Sequence, residues 1–288
     1  MPSTIILKRR ISSIRSTRQI TKAMQLVSAS KLRRAQVIAL RSRDYRALAY
    51  ELLQRMSNIQ EVEKHELFVR RPLKQHLYIL ITSNSGLAGA YNANVLKEFL
   101  QHVTIDQDKS IKSKAIVIGN KGANFVRRLA DIELIAVYQP FDDHPTPDQI
   151  RPLLNSLLEL YRKDGADAID LIYTSFISTI RQQVTMLPLL PAAAPTAADH
   201  FTSLATFEPD TETVIDQVVV RLVEAQIWQA VLESLASEYA MRMVATKNAT
   251  DNANELIDDY TLELNNARQA AITQELAEIT GGAEALND

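Results

Sequence analysis

Apolar residues recur every three or four positions through the last quarter of the sequence. Over residues 210–280 there is neither glycine nor proline, the two residues that most often interrupt helices. The pattern therefore predicts one long helix that begins near Pro209 or Thr211 and ends at the Gly281–Gly282 pair, where glycine signals a C-cap. Its apolar stripe comprises Trp228, Leu232, Leu235, Tyr239, Met243, Ala249, Ala253, Leu256, Tyr260, Leu264, Ala267 and Ala271. Such a helix is roughly 100 Å long, which no compact domain needs.

A second stretch without glycine or proline opens the sequence, from Ser3 to Arg71. It predicts a helix from about Ser3 to about Asn58, shorter than the last helix by roughly 15 residues. The stripe of this helix is looser. It comprises Ile11, Ile14, Ile20, Met24 and Val27, followed by Tyr45, Leu48, Leu52, Met56 and Ile59.

The middle of the chain alternates between short apolar runs and helical stretches. Nine of the ten prolines and five of the seven glycines lie between Pro72 and Pro209. Strands are predicted at 77–82, 115–118, 132–138, 168–176 and 183–187, and helices at 92–103, 123–129 and 146–161. Repeated β–α units are typical of a mostly parallel sheet. The predicted fold class is α/β, with a doubly wound, Rossmann-like domain at 72–208 between helical segments at 1–71 and 209–288.

The two long helices flank one compact domain and are therefore expected to pair with each other. Each carries an apolar stripe that must be covered, and a long antiparallel coiled coil is the simplest arrangement. Residues near 10–58 should then pair with residues near 210–260, and the longer helix should overhang the shorter by roughly 20 Å or more. The apolar residues of the overhang are Ala267, Ala270, Ala271, Ile272, Leu276 and Ile279. A tip of this kind has to be held by another chain.

Charge is strongly divided along the chain, although the net value is only -2. Residues 1–71 contain 16 Lys and Arg against 5 Asp and Glu, a net +11, and residues 210–288 contain 4 against 15, a net -11. Such arms either attract each other or meet charged partners. A basic arm also raises nucleic acid as a partner, but no aromatic residue precedes Tyr45 to stack on bases. A coiled-coil arm that faces acidic proteins is the favoured interpretation.

The sequence offers little material for catalysis. It has no cysteine, which excludes disulfides and thiol chemistry. No run of about 18 apolar residues is present, so no membrane-spanning helix is expected. Glycine motifs at 86–89 and 119–122 follow predicted strands, but neither has the spacing of a phosphate-binding loop, and both are interpreted as tight turns. Asp142, Asp143 and His144 lie in a proline-rich loop, and no metal site, cofactor or catalytic residue is predicted.

Three blocks of sequence are distinctive in combination. The first lies between Arg10 and Leu32 and contains the run QITKAM, and the second is the segment 85–92, SGLAGAYN. The third comprises NATDNA at 248–253 and NNARQAAITQE at 265–275. Together these collinear blocks resemble the gamma subunits of bacterial F-type ATP synthases. Two positions depart from the family pattern: Ala88 stands where many members have Cys, and Thr246 stands where Met is common.

The resemblance implies a central-stalk rotor subunit that transmits torque between an ion-driven ring of c subunits and a catalytic hexamer of alpha and beta subunits. The paired terminal helices would turn inside the hexamer, and the α/β domain would stand on the c-ring beside the epsilon subunit. The chain would be a non-catalytic subunit that binds no cofactor and no nucleic acid. It would be a peripheral protein at the cytoplasmic face of the cell inner membrane, without inserting into it.

The same resemblance assigns contact residues to the two ends of the rotor. Rotor–stator contacts are expected at Met24, Arg268, Gln269, Thr273 and Glu275. Contacts with the c-ring are expected at Phe207, Glu208, Arg41 and Arg43. The residues themselves leave one alternative, a Rossmann-like enzyme with a basic coiled-coil arm that acts on nucleic acid.

Overall fold

The computed structural model describes residues 4–56, 65–141, 145–192 and 211–285. The side chains at 41, 43–47, 49–50, 52–56, 211–212 and 283–285 fall outside that description. The chain divides into two compact units. The first comprises Met1–Ser28 with Met243–Asp288, and the second is Ala29–Arg242. Each unit therefore contains part of both terminal helices.

Two helices dominate the chain, as predicted. Helix α1 is Thr4–Met56, and the last helix, α5, is Thr211–Ala285, with 75 residues. The predicted end of α5 was wrong, because Gly281 and Gly282 lie inside the helix. A side chain added at either glycine would meet nothing within 4 Å, so no tertiary contact ends the helix there.

The middle of the chain forms a five-stranded sheet. Its strands are β1 Gln75–Ile81, β2 Lys112–Ile118, β3 Glu133–Tyr138, β4 Ala168–Phe176 and β5 Gln182–Leu190. The order across the sheet is β3-β2-β1-β4-β5, with β5 antiparallel to β4 and the other neighbours parallel. Helices α2 Tyr91–Asp108, α3 Asn120–Val126 and α4 Arg151–Arg162 connect the parallel strands. The final pair is antiparallel because its link is too short for a crossover.

The core of the α/β domain lies on both faces of the sheet. On one face, Tyr78 and Leu80 of β1 cluster with Phe99 of α2. On the other face, Leu77 and Ile79 are fully buried as well. A strand buried on both sides has a continuous apolar sequence, which is why the sequence pattern located β1 well.

A glycine turn follows β2 and fixes the position of α3. Gly119 has φ +100°, and a Cβ atom there would lie 2.2 Å from the carbonyl oxygen of Thr82. The Gly122 amide donates a hydrogen bond to the Thr82 hydroxyl at 3.0 Å. The motif at 119–122 is thus a tight strand-to-helix turn, as predicted, and its glycines serve close packing.

Candidate interaction surfaces

In the first unit, α1 and α5 run antiparallel. The Arg10 guanidinium donates a hydrogen bond to the Tyr260 hydroxyl at 3.5 Å and lies 5.8 Å from the centre of that ring. Eight residues further along α1, Arg18 donates to the Asn254 side-chain oxygen at 3.2 Å. Partners therefore move backwards along α5 as α1 advances, which confirms the predicted orientation.

The seam between these helices differs from the predicted stripe. Ile20 and Val27 are 61% and 54% exposed, whereas the neighbouring Thr21 and Ser28 are buried. The Thr250 hydroxyl donates a hydrogen bond to the Thr21 hydroxyl at 2.8 Å. Because the two hydroxyls satisfy each other, threonine can occupy seam positions that were assigned to apolar residues. Other predicted stripe residues that lie exposed are Leu48 and Leu256.

The second unit also contains an antiparallel pair of α1 and α5 segments. Lys31 lies 5.7 Å from the centre of the Tyr239 ring, and Ser42 is hydrogen-bonded to Gln229. The predicted stripe of α5 is confirmed in this unit, where Trp228 is buried. The other buried stripe residues here are Leu232, Leu235 and Tyr239.

The end of α5 is exposed. Every described side chain from Ala271 to Gly282 is accessible to solvent. The large apolar members, Ile272, Leu276 and Ile279, are 49%, 59% and 68% exposed. These residues form the apolar overhang expected from the unequal lengths of the helices. We call residues 271–282 the tip.

The predicted rotor–stator residues occupy two places within the first unit. Met24 lies half-buried on α1, whereas Arg268, Gln269, Thr273 and Glu275 are all exposed on α5, at or just before the tip. The Thr273 hydroxyl donates back to the Gln269 carbonyl oxygen at 3.0 Å. The helical spacing brings the four α5 residues onto neighbouring rows of one surface.

The side chains of the predicted c-ring contacts all lie outside the described part of the chain, so the structure does not show whether they lie close together. Phe207 and Glu208 lie outside the described residues. Arg41 and Arg43 belong to α1, but their side chains are likewise not described.

Helix α5 occupies the position where doubly wound sheets bind ligands. In such sheets the ligand lies in a crevice beyond the carboxyl ends of two neighbouring strands, at the point where the strand order reverses. Here those two strands are β1 and β4. The last β4 residue paired with β1 is Ile172. Beyond it, the Thr174 amide donates to the Ser234 hydroxyl at 3.3 Å, and the Ser237 hydroxyl donates to the Thr174 carbonyl at 3.1 Å. The two serines thus bind backbone groups that a ligand would otherwise meet.

An arginine of a buried ion pair within α5 also binds the loop after β1. Arg242 donates to Glu238 at 2.6 Å and to the Ser85 hydroxyl at 3.0 Å. Burial raises the pKa of Glu238, and the positive charges of Arg242 and Lys31 offset only part of that effect. The glycine motif at 86–89 is therefore anchored to a helix, in keeping with its interpretation as a turn.

The amino-terminal edge of the sheet carries a buried charged cluster that sequence reasoning missed. The two ring nitrogens of His76 lie 2.9 Å from carboxylate oxygens of Asp106 and Asp170. The Tyr78 hydroxyl donates to the same Asp106 oxygen at 2.6 Å. Burial disfavours the charged imidazolium, but the hydrogen bonds and charges of Asp170 and Asp106 outweigh it, and the pKa of His76 is raised. The sequence contained one indication of this cluster, because Asp170 interrupts the apolar run 169–173 of a buried strand.

Within the described ranges, no group of three or more His, Cys, Asp and Glu side chains is arranged to hold a metal ion. The loop residues Asp142, Asp143 and His144 lie outside those ranges. No helix in the described part of the chain combines the length and the hydropathy that crossing a membrane requires.

Comparison with known proteins gives a consistent family. The family model described as ATP synthase matches residues 3–286. The ATP synthase gamma chain of a Psychrobacter species is 38% identical over 294 residues, covering 100% of both chains. That of Moorella thermoacetica is 39% identical over 280 residues, covering 97% of this chain and 98% of the relative.

Solved structures show the same fold. A chain of the Euglena gracilis mitochondrial ATP synthase, in a structure of OSCP, F1 and c-ring, aligns with TM-score 0.72 at 20% identity and covers 98% of this chain and 94% of its own. A chain from the central stalk and c-ring of the Tetrahymena thermophila enzyme aligns with TM-score 0.63 at 23% identity, covering 80% and 99%. From the full-length match to the family model and to the bacterial relatives, the chain belongs to the ATP synthase gamma chain family.

Proposed function

We propose that the chain is the central-stalk rotor of an F-type ATP synthase and carries torque between its two motors. The observation that supports this most directly is the tip, a single helix whose large apolar residues are exposed. An unsupported apolar helix is marginal in water, so a surrounding protein sleeve is required. A sleeve inside which the helix turns must make few directional contacts, and the alanine and aliphatic side chains of the tip meet that need.

The sleeve that we infer is the hexamer of alpha and beta subunits, which would hold the catalytic sites. One solved neighbour comes from an assembly of OSCP, F1 and c-ring, and the other from a central stalk with a c-ring. By analogy, the α/β domain of this chain would stand on a c-ring, with epsilon beside it. This chain would then be non-catalytic, in keeping with a crevice already filled by Ser234 and Ser237. It would lie at the cytoplasmic face of the inner membrane as a peripheral subunit. The enzyme alternative has no support from any of these observations.

Two sets of residues would make the contacts. Met24, Arg268, Gln269, Thr273 and Glu275 would meet the hexamer. Phe207, Glu208, Arg41 and Arg43 would meet the c-ring, and changing Glu208→Lys would weaken coupling between ion flow and ATP synthesis. The domain boundaries at 71/72 and 208/209 stay predictions, since the second falls outside the described residues.

Co-assembly and rotation test the proposal together. The chain is co-expressed with tagged beta subunit and with alpha, and a single cysteine is introduced at the exposed Lys112 to attach a bead. Because the sequence has no cysteine, the label is unique within this chain, and any cysteine of alpha and beta is replaced beforehand. The chain should co-purify with both subunits, and the bead should turn in one direction when ATP is added. A chain that stays separate from alpha and beta, or a bead that never turns, would contradict the proposal.

A further inference from the structure

Four polar side chains form a continuous hydrogen-bonded chain through the second unit, from α1 across α5 to β4. The Ser42 hydroxyl of α1 is hydrogen-bonded to the side-chain oxygen of Gln229. The Gln229 amide nitrogen donates to one carboxylate oxygen of Glu233 at 2.7 Å. The Ser175 hydroxyl of β4 donates to the other carboxylate oxygen at 2.7 Å. We call these four residues the polar joint.

The polar joint is buried where apolar packing would be simpler. Gln229 is 1% exposed, Glu233 6% and Ser42 8%. Removing an amide and a carboxylate from water costs free energy, and the hydrogen bonds that they form offset this cost without a large net gain in stability. The neighbouring α5 residues Leu232 and Leu235 already supply apolar contact. Stability alone therefore gives no reason for the polar joint.

Direction is what hydrogen bonds add to apolar contact. Apolar burial is non-directional, since its free energy follows the area removed from water rather than the angle between two groups. Hydrogen bonds weaken steeply when distance or angle changes, so a buried chain of them resists shear. The polar joint is the place where both terminal helices and the sheet are linked by such bonds in sequence.

We propose that the polar joint transmits torque between the α/β domain and the paired helices. The inference rests on the proposed rotor function and names the residues through which it acts. Gln229 and Glu233 are positioning residues that hold the sheet and α1 in fixed rotational register about α5. Their loss makes the connection between the domain and the helices more compliant without removing any contact to another subunit.

The main test replaces the centre of the polar joint with apolar side chains of similar length, Gln229→Met with Glu233→Met. A bead attached through Lys112→Cys reports angular fluctuation of the α/β domain while the assembled hexamer holds the opposite end of the rotor in the absence of ATP. The variance of that fluctuation should rise by about twofold, since the hydrogen bonds that run from α1 through α5 to Ser175 are gone. The packing and the bonds of Ser234 and Ser237 to Thr174 remain. The matched control is Gln217→Met, the same change at an exposed position of α5.

A second test changes the two ends of the polar joint, Ser42 and Ser175, and leaves Gln229 and Glu233 in place. It therefore does not require a new side chain to fit at the centre of the polar joint. Ser42→Ala and Ser175→Ala are small truncations on different elements, joined only through Gln229 and Glu233 in this network. Effects of independent sites add, whereas members of one network couple. The increase in angular variance for the double variant should therefore be smaller than the sum of the two single increases. This readout separates a mechanical role from a general loss of stability.

The outcomes separate the two proposals. If the wild-type chain does not assemble with alpha and beta, the rotor function itself fails. If it assembles and rotates, but the double methionine variant fluctuates like the wild type, the polar joint does not carry torque. Should that variant fail to fold by circular dichroism, the serine pair decides, and strictly additive increases in variance would overturn the inference.

Discussion

Arg268 and Gln269 are adjacent polar residues just before the tip, which exposes the large apolar side chains of Ile272, Leu276 and Ile279. Both are exposed, so replacing them should not disturb folding. In the proposed hexamer they would form transient hydrogen bonds with acidic residues, because a guanidinium offers several donors in a plane. Such a charged hydrogen bond is worth about 1.5–3 kcal/mol, which is strong enough to matter and weak enough to break in each turn.

We therefore expect Arg268→Leu with Gln269→Leu to lower ATPase turnover or assembly while the isolated subunit stays folded. Turnover of the purified complex and circular dichroism of the subunit measure the two effects. Glu255→Leu, at an exposed position earlier on α5, is the control for an added surface leucine. Wild-type turnover and normal assembly in the double variant would rule out a functional contact of Arg268 and Gln269 with the hexamer.

His76 should make the stability of the α/β domain depend on pH. Its folded pKa lies above the ordinary value of 6.5. The stabilisation is therefore complete below pH 6.5 and is lost as pH rises through the folded pKa. The size of the loss is set by the difference between the folded and the unfolded pKa. Urea unfolding of the wild type between pH 6 and pH 9 should show this loss. His76→Asn should remove it, and parallel pH profiles for the two proteins would contradict the assignment.

The cluster around His76 shows what a single sequence hides at the scale of residues. The burial of β1 and β4 could be predicted from their apolar runs. The partnership of Asp106, Asp170 and His76 could not, because it depends on strand register and on where α2 ends. Ser42 and Ser175 were missed for the same reason, since three elements must be placed before their network exists.

At the scale of elements, the helices were predicted well and their buried faces less well. Thr21 and Ser28 lie on the seam seven residues apart, which is the spacing of a heptad, and Thr250 of α5 lies on it as well. A search for apolar residues does not detect any of the three. Threonine is acceptable there because its hydroxyl finds a partner across the seam or on its own helix. The Thr21 hydroxyl, for example, accepts from Thr250 and donates to the Arg18 carbonyl at 3.1 Å. The neighbouring Ile20 was then assigned to a face that it does not occupy.

The buried threonine pair should fix the axial register of α1 against α5 in the first unit. Polar residues at seam positions specify register at some cost in stability. The double replacement removes both hydroxyls and leaves no unpaired partner, so Thr21→Val with Thr250→Val should change the free energy of unfolding by less than about 1 kcal/mol. Register should nevertheless become less specific.

Cysteine crosslinking measures that register. The side chains of Arg18 and Asn254 are in contact, so cysteines at both positions should be joined by a short bifunctional thiol crosslinker in either background. Arg18→Cys with Asp258→Cys, one helical turn away, should crosslink appreciably only when both threonines are valine. An off-register yield that stays the same in the valine background would contradict a role in register.

At the scale of the whole chain, the opposite charges of the two arms are not used as direct ion pairs in the first unit. Residues 4–28 contain 6 Lys and Arg and no Asp or Glu. Arg10 and Arg18 instead bind neutral groups on α5, and no basic nitrogen of residues 4–28 lies within 4.0 Å of a carboxylate of residues 243–282. The six basic groups of residues 4–28 thus form no ion pair with the described part of α5 in this unit.

The last prediction concerns nucleotide binding by the whole chain. An α/β domain with a strand order of this kind suggests a dinucleotide or ATP site, and sequence alone argued against one only through missing motifs. The structure supplies a physical reason, because Ser234 and Ser237 of α5 bind the Thr174 backbone in the crevice beyond β1 and β4. A ligand would have to displace a helix held by buried contacts.

We expect the isolated chain to show no heat of binding when it is titrated with Mg-ATP in the micromolar range. The same titration into the assembled complex is the control, and it should show binding, since the proposed nucleotide sites lie on alpha and beta. Micromolar affinity in the isolated chain would mean that α5 leaves the crevice in solution. In that case the packing of Ser234 and Ser237 against β4 would be only one of two states, and the non-catalytic role of this subunit would have to be reconsidered.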